Sequence, residues 1–135
     1  MHRHSNESPE CPSCNQKLTL AHPLINAYFK LIRTQFPDAH VSEVFRDKDA
    51  QNEAVKEGRS RLLWPDSAHN HMQGSTPKSR AMDIFQLEGT RAKWDPKYFV
   101  EIVRWCKSEK LLLRYGLDFD SLHDSCHFEL IKDIP

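Results

Sequence analysis

The chain has 135 residues and a mass of 15.8 kDa, the size of one ordinary domain built on one main core. Hydrophobic residues make up 39% and charged residues 28%, with 4 Gly and 8 Pro, a balance that excludes a collagen-like, low-complexity or wholly disordered chain. Lys+Arg 19 and Asp+Glu 19 cancel, which argues against a sequence-tolerant nucleic-acid binder, because such proteins draw most of their affinity from neutralising phosphates.

No apolar run approaches the ~20 residues that span a bilayer. The greasiest stretches, Leu111-Leu112-Leu113 and Tyr98-Phe99-Val100, are far shorter. The first ten residues lack the apolar stretch of a secretory signal, so synthesis in the cytosol is expected. Cys11, Cys14, Cys106 and Cys126 are then expected to remain reduced.

In chain order, residues 1–20 are polar and are expected to form a flexible arm around Cys11-Pro12-Ser13-Cys14, ahead of a single domain over 21–135. Pro23 suits a first helical position, and Leu24, Ala27, Tyr28, Leu31, Ile32 and Phe36 recur at helical spacing over 23–36. Residues 40–45 alternate weakly and predict a short strand. Asp47 is a natural N-cap for a second helix that Gly58 stops. Residues 59–80 are rich in Pro, Ser, His and Gly without a period, and predict a long loop of the kind that usually carries function. Residues 81–87 predict a buried strand. Pro96 opens a helix with Phe99, Ile102, Val103 and Cys106 on one face, and 111–134 predicts two short strands around Gly116-Leu117-Asp118. This order implies an α+β fold, with helices packed on a small, largely antiparallel sheet.

Two segments bear chemistry. The first is Ser67-Ala68-His69-Asn70 with Ser79-Arg80-Ala81-Met82-Asp83; the second is Asp124-Ser125-Cys126-His127-Phe128-Glu129. His69, Asp83 and His127 offer two imidazole nitrogens and a carboxylate oxygen, a set suited to a catalytic zinc whose fourth position is left for water. Asp124, three residues before His127, is placed to accept that water's proton. The residues alone also fit a plainer reading, with Asp83 bonding a backbone amide and His127 a satisfied core histidine. His71 rivals His69 as the ligand. Trp64, Trp94 and Trp105 are expected to pack in the core and at its rim, with a groove border the alternative for Trp64, and His123 adjoins Asp124.

The pattern Ser-x-His, Ser-x-Ala-x-Asp and Asp-x-x-His-Phe-Glu resembles the zinc peptidase family of D-Ala-D-Ala carboxypeptidases and phage L-alanyl-D-glutamate endolysins, over about residues 22–133. His22-Pro23-Leu24, Phe36-Pro37-Asp38-Ala39-His40-Val41 and Phe45-Arg46 agree with it. The resemblance implies a hedgehog/DD-peptidase-like domain with one catalytic zinc on His69, Asp83 and His127. It also implies Asp124 as general base, where many relatives carry Glu, and Arg46 facing substrate. Gln51 and Ser67 are implied to position the substrate or the site around it, and Ser67 favours His69 over His71. The implied substrate is a peptidoglycan stem peptide, cut by a monomer with no nucleic-acid or membrane partner, made in the cytosol and acting at the wall after release. A carboxypeptidase and a non-catalytic wall-binding module are the alternatives.

Two departures from the family pattern fall within the domain. His69 and Asp83 lie fourteen positions apart, which implies an insertion over 70–78, and Cys126 stands where many relatives have Pro. Cys11 and Cys14 form half of a structural zinc site, which His2, His4 or His22 would have to complete, or else idle thiols.

Overall fold

The computed structural model describes residues 4–6, 10–119 and 124–135. His2 and His123 lie outside them. Among the described residues, four α-helices, α1 (Pro12–Leu18), α2 (Pro23–Gln35), α3 (Lys48–Lys56) and α4 (Pro96–Ser108), accompany seven short strands. The strands are β1 (Ala39–Glu43), β2 (Met72–Gln73), β3 (Thr76–Pro77), β4 (Ala81–Glu88), β5 (Arg91–Lys93), β6 (Leu113–Tyr115) and β7 (His127–Leu130). The architecture is α+β with a mainly antiparallel sheet, as the order of elements implies.

Local chemistry sets the helix starts. Asp47 accepts from the Ala50 amide at 2.8 Å to open α3, and Asp95 accepts from Lys97 at 3.0 Å to open α4. The buried face of α4 carries Phe99, Ile102, Val103 and Cys106, the row its spacing indicates. The predicted face of α2 is rotated. Its core row is Ile25, Tyr28, Phe29 and Ile32, while Leu31 is 46% exposed. The Ile25–Phe29–Ile32 row follows the same helical spacing as the predicted one and carries the bulkier side chains, so burying it removes more apolar surface.

The sheet runs β1-β4-β7-β6, with β5 also paired to β4. In β4, Met82 and Ile84 alternate with Asp83 and Phe85. Met82 and Ile84 join the core formed with the helices, which leaves Asp83 to the opposite face. A bulge between Val41 and Glu43 brings Glu43 opposite Asp83 on one side, while β7 sets His127 opposite it on the other.

Two expectations are corrected. The first concerns the proposed arm. Residues 12–18 form α1, and Cys11, Cys14 and Leu18 are buried in the core. The segment covers the open edge of β1, where the Val41 amide donates to Cys14 Sγ at 3.4 Å and Lys17 Nζ donates to Val41 O at 3.4 Å. The second concerns residues 59–80, which hold a short 3-10 turn (Ala68–Asn70) and the β2–β3 hairpin, turned at Gly74 (φ 62°). Two-residue strands are too short to leave a period in the sequence.

Candidate metal centre

Three elements deliver the central residues. The 3-10 turn carries His69, β4 carries Asp83 and β7 carries His127, and all three are buried. Ser67 opens the turn: its hydroxyl accepts from the His69 amide at 3.2 Å, and Asn70 Oδ1 accepts from the Ser67 amide at 3.1 Å. His69 Nε2, Asp83 Oδ1 and His127 Nδ1 stand at the corners of a triangle with every edge 3.2 Å.

The remaining atoms of these side chains are held from behind. His69 Nδ1 donates to Val44 O at 2.7 Å, and His127 Nε2 donates to Glu129 Oε1 at 2.7 Å. Arg46 Nη2 donates to Asp83 Oδ2 at 3.4 Å. With both outward ring nitrogens carrying hydrogen, the neutral imidazoles turn lone pairs inward, so three acceptors face one another. Such a cluster calls for a cation or for extra protons. Zinc bonds of about 2.0–2.2 Å to N and O in tetrahedral array place neighbouring ligand atoms about 3.3–3.5 Å apart, close to the observed edges. The donor set therefore fits zinc, and its outer partners have the arrangement that orients ligands.

Without a metal, charge takes the cation's place. Burial would push the His127 pKa down, but hydrogen bonds to Asp83 and Glu129 outweigh it and raise it to about 10. Burial likewise works to raise Asp83 and Glu129, yet His69 and His127 hold Asp83 well below the carboxylate range, and His127 does the same for Glu129.

Asp124 stands beside this triangle. A carboxylate oxygen of Asp83, one of Asp124 and the sulfur of Cys126 all lie within 4.8 Å of one another. The Cys126 thiol donates to Asp124 Oδ1 at 3.1 Å, and burial, with Asp83 and Asp124 beside it, keeps that thiol protonated. A cleft of about 220 Å³ is lined by Arg46, Ser67, His69, Asp124, His127 and Glu129. A neighbouring cleft of about 470 Å³ includes Glu43, Asp83 and Trp94 in its wall, and Arg46, Arg59 and Asp124 line both. Trp94, which is 49% exposed, borders this space, whereas Trp64 packs on Phe45.

Arg46 is buried and directional: Nε and Nη2 donate to Glu43 Oε2 at 2.9 and 2.5 Å. Gln51 lies behind it, fully buried, and not at the cleft surface as a substrate contact would. Its Oε1 accepts from Arg46 Nη1 at 3.4 Å and Asn70 Nδ2 at 3.1 Å, while its Nε2 donates to Leu62 O at 2.5 Å. Gln51 thus ties the guanidinium to the turn that carries His69. His69 joins the cluster, whereas His71 is exposed and lies outside it.

The sequence pattern assigns no role to Glu43, Ser79 or Glu129. Ser79 Oγ donates to Val44 O at 2.7 Å, the same carbonyl that holds His69. The signal for Glu129 was present, since a residue two positions after His127 on a strand shares its face.

The fold has a solved counterpart. The crystal structure of Serratia marcescens L-Ala D-Glu endopeptidase ChiX matches with a TM-score of 0.71 at 22% identity, over 89% of this chain and 87% of that one. No family model matches the sequence, and no curated protein matches it. The likeness establishes a shared fold.

Proposed function

We propose that the cleft is the active site of a zinc metallopeptidase that hydrolyses an amide bond in peptidoglycan stem peptides, namely the L-alanyl-D-glutamate bond. The observation that carries this reading is the inward-facing triangle of His69 Nε2, Asp83 Oδ1 and His127 Nδ1 beside a cleft that Asp124 also lines. The choice of bond rests on the motif resemblance and on the activity named for the ChiX structure.

Zinc held by these three residues would polarise the scissile carbonyl and lower the pKa of water towards ~7. The protein supplies the rest. Asp124 takes a proton from the attacking water and delivers it to the departing amine nitrogen. Its position outside the ligand triangle keeps it available for that transfer. Arg46, fixed by Glu43 and braced by Gln51, presents fixed positive charge at the cleft wall. That charge favours a substrate carboxylate and the oxyanion that develops as the carbonyl is attacked. Arg59 lines the same wall, where it pairs with Glu43 and Glu57. Among the described residues no helix is long and apolar enough to cross a membrane, and the proposed site of action is the wall after release of the protein.

Digestion of purified peptidoglycan followed by mass spectrometry tests the reading. New amino-terminal D-glutamate, lost on chelation and restored by zinc, is the expected result. Released free D-alanine would assign a carboxypeptidase instead. Retention of wall fragments without new ends would overturn the enzyme reading in favour of a binding module.

A further inference from the structure

We infer that His4, Cys11, Cys14 and His40 form a second, structural zinc site that fastens the amino-terminal segment to the edge of the sheet. These four residues each direct one donor atom to a common centre, all within 4.8 Å of one another. His4 Nδ1 lies 3.2 Å from Cys11 Sγ, 3.4 Å from Cys14 Sγ and 3.2 Å from His40 Nδ1. His40 Nδ1 lies 3.3 Å from Cys11 Sγ and 3.5 Å from Cys14 Sγ. A tetrahedral zinc with Zn–S of about 2.3 Å and Zn–N of about 2.0–2.1 Å sets S···N at about 3.5 Å and N···N at about 3.3–3.4 Å. The observed edges approach both values.

The surroundings suit ligands. His40 Nε2 donates to Asn6 Oδ1 at 2.6 Å, and Asn6 is oriented by donating its own Nδ2 to Leu87 O at 3.0 Å. That bond leaves the lone pair on Nδ1, facing the sulfurs. His4 Nε2 is turned to Ser13 Oγ at 3.3 Å, so its Nδ1 also points inward. The sulfurs accept backbone hydrogen bonds, Cys11 from the Cys14 amide at 3.3 Å and Cys14 from the Val41 amide at 3.4 Å. Two thiolates would neutralise the ion; Arg33 Nη1 donates to Ala39 O at 3.2 Å and stands 3.2 Å from His40 Nδ1, a donor on the lone pair that a bound zinc would take over.

Competing explanations account for less. Cys11 and Cys14 are free thiols at 2% and 1% exposure, too enclosed for a redox pair that must meet a partner. His22 is committed elsewhere, with Nδ1 accepting from the Leu24 amide at 3.0 Å and Nε2 bonded to Pro135 O at 2.8 Å. The seven-residue α1 is too short to be stable alone, and a cross-link to β1 supplies the anchor. Soft sulfur with imidazole in a closed four-ligand set favours zinc over harder divalent ions. The ligands span residues 4 to 40, so the site joins the amino-terminal segment to β1.

The test is zinc content, with X-ray absorption at the zinc edge, for wild type, Cys11→Ser/Cys14→Ser and His69→Ala/His127→Ala. Two zincs per chain with sulfur neighbours are expected in wild type. The cysteine variant should keep one zinc without sulfur, and the histidine variant one zinc with two sulfurs. Wild type holding a single zinc that has two sulfurs and vanishes in the cysteine variant supports this site while refuting the proposed catalytic one. Zinc without sulfur in wild type, or an unchanged count in the cysteine variant, overturns the inference. Thiol titration of native wild type covers a cysteine variant that fails to fold: two thiols should become reactive only on chelation, and equal rates with and without chelator would overturn it.

Discussion

Asp83 and His127 are directly opposed across β4 and β7, and this register sets Asp83 Oδ1 3.2 Å from His127 Nδ1. Antiparallel pairing puts opposed side chains on the same face within easy reach, so one strand register delivers two of the three proposed ligands together. A slip of one residue in β7 would turn His127 to the face away from Asp83.

That pairing makes the metal-free protein sensitive to pH. The folded pKa of His127, raised to about 10 from an ordinary 6.5, contributes stability that is complete below 6.5 and lost as pH rises through 10. Asp83 acts in the opposite sense, contributing above its ordinary 3.8 and losing that contribution as pH falls towards its depressed folded pKa. The urea midpoint of chelated wild type should fall between pH 6.5 and 10 relative to His127→Gln. Parallel profiles would contradict the pairing. Zinc must displace the His127 proton, so affinity at this centre should strengthen as pH rises from 6 to 8.

Glu129 fixes which His127 nitrogen faces inward. Glu129→Ala removes the acceptor on Nε2, and zinc affinity at this centre should fall about 10–100-fold, read by competition with a chelator. Unchanged affinity would show that the strand alone orients the ring.

Gly116 is a positioning residue for the Asp124 segment. A Cβ there would lie 2.0 Å from the backbone oxygen of Asp124 and 2.9 Å from His127 Cβ, so neither can stay in place. Gly116→Ala should lose about 1–3 kcal/mol of stability in urea unfolding and lose peptidase activity with it. Wild-type values for both would show that the segment moves without consequence.

Much of the fold and site can be read from residue order, and the exceptions have physical causes. The helices opened at Asp47 and Pro96, the apolar strand around Asp83 and the Asp124–His127 spacing leave local signals. His40 leaves none as a partner of Cys11 and Cys14, because β1 must dock beside α1 before the residues meet. Likewise α1 is short and polar, and its buried sulfurs look like solvent-facing residues until the β1 edge covers them. His69 and His71 differ only by the 3-10 turn that faces one inward. Gln51 sits on a helix whose sequence looks solvent-exposed, yet its amide is the buried junction behind Arg46.

Zinc content and peptidoglycan cleavage, measured together on wild type and Asp124→Ala, separate the role of Asp124 as general base from that of the zinc ligands. The variant should keep the zinc bound by His69, Asp83 and His127 while cleavage falls at least about 100-fold, the usual scale of general-base catalysis. Cleavage near the wild-type rate by a variant that retains its zinc would contradict that role.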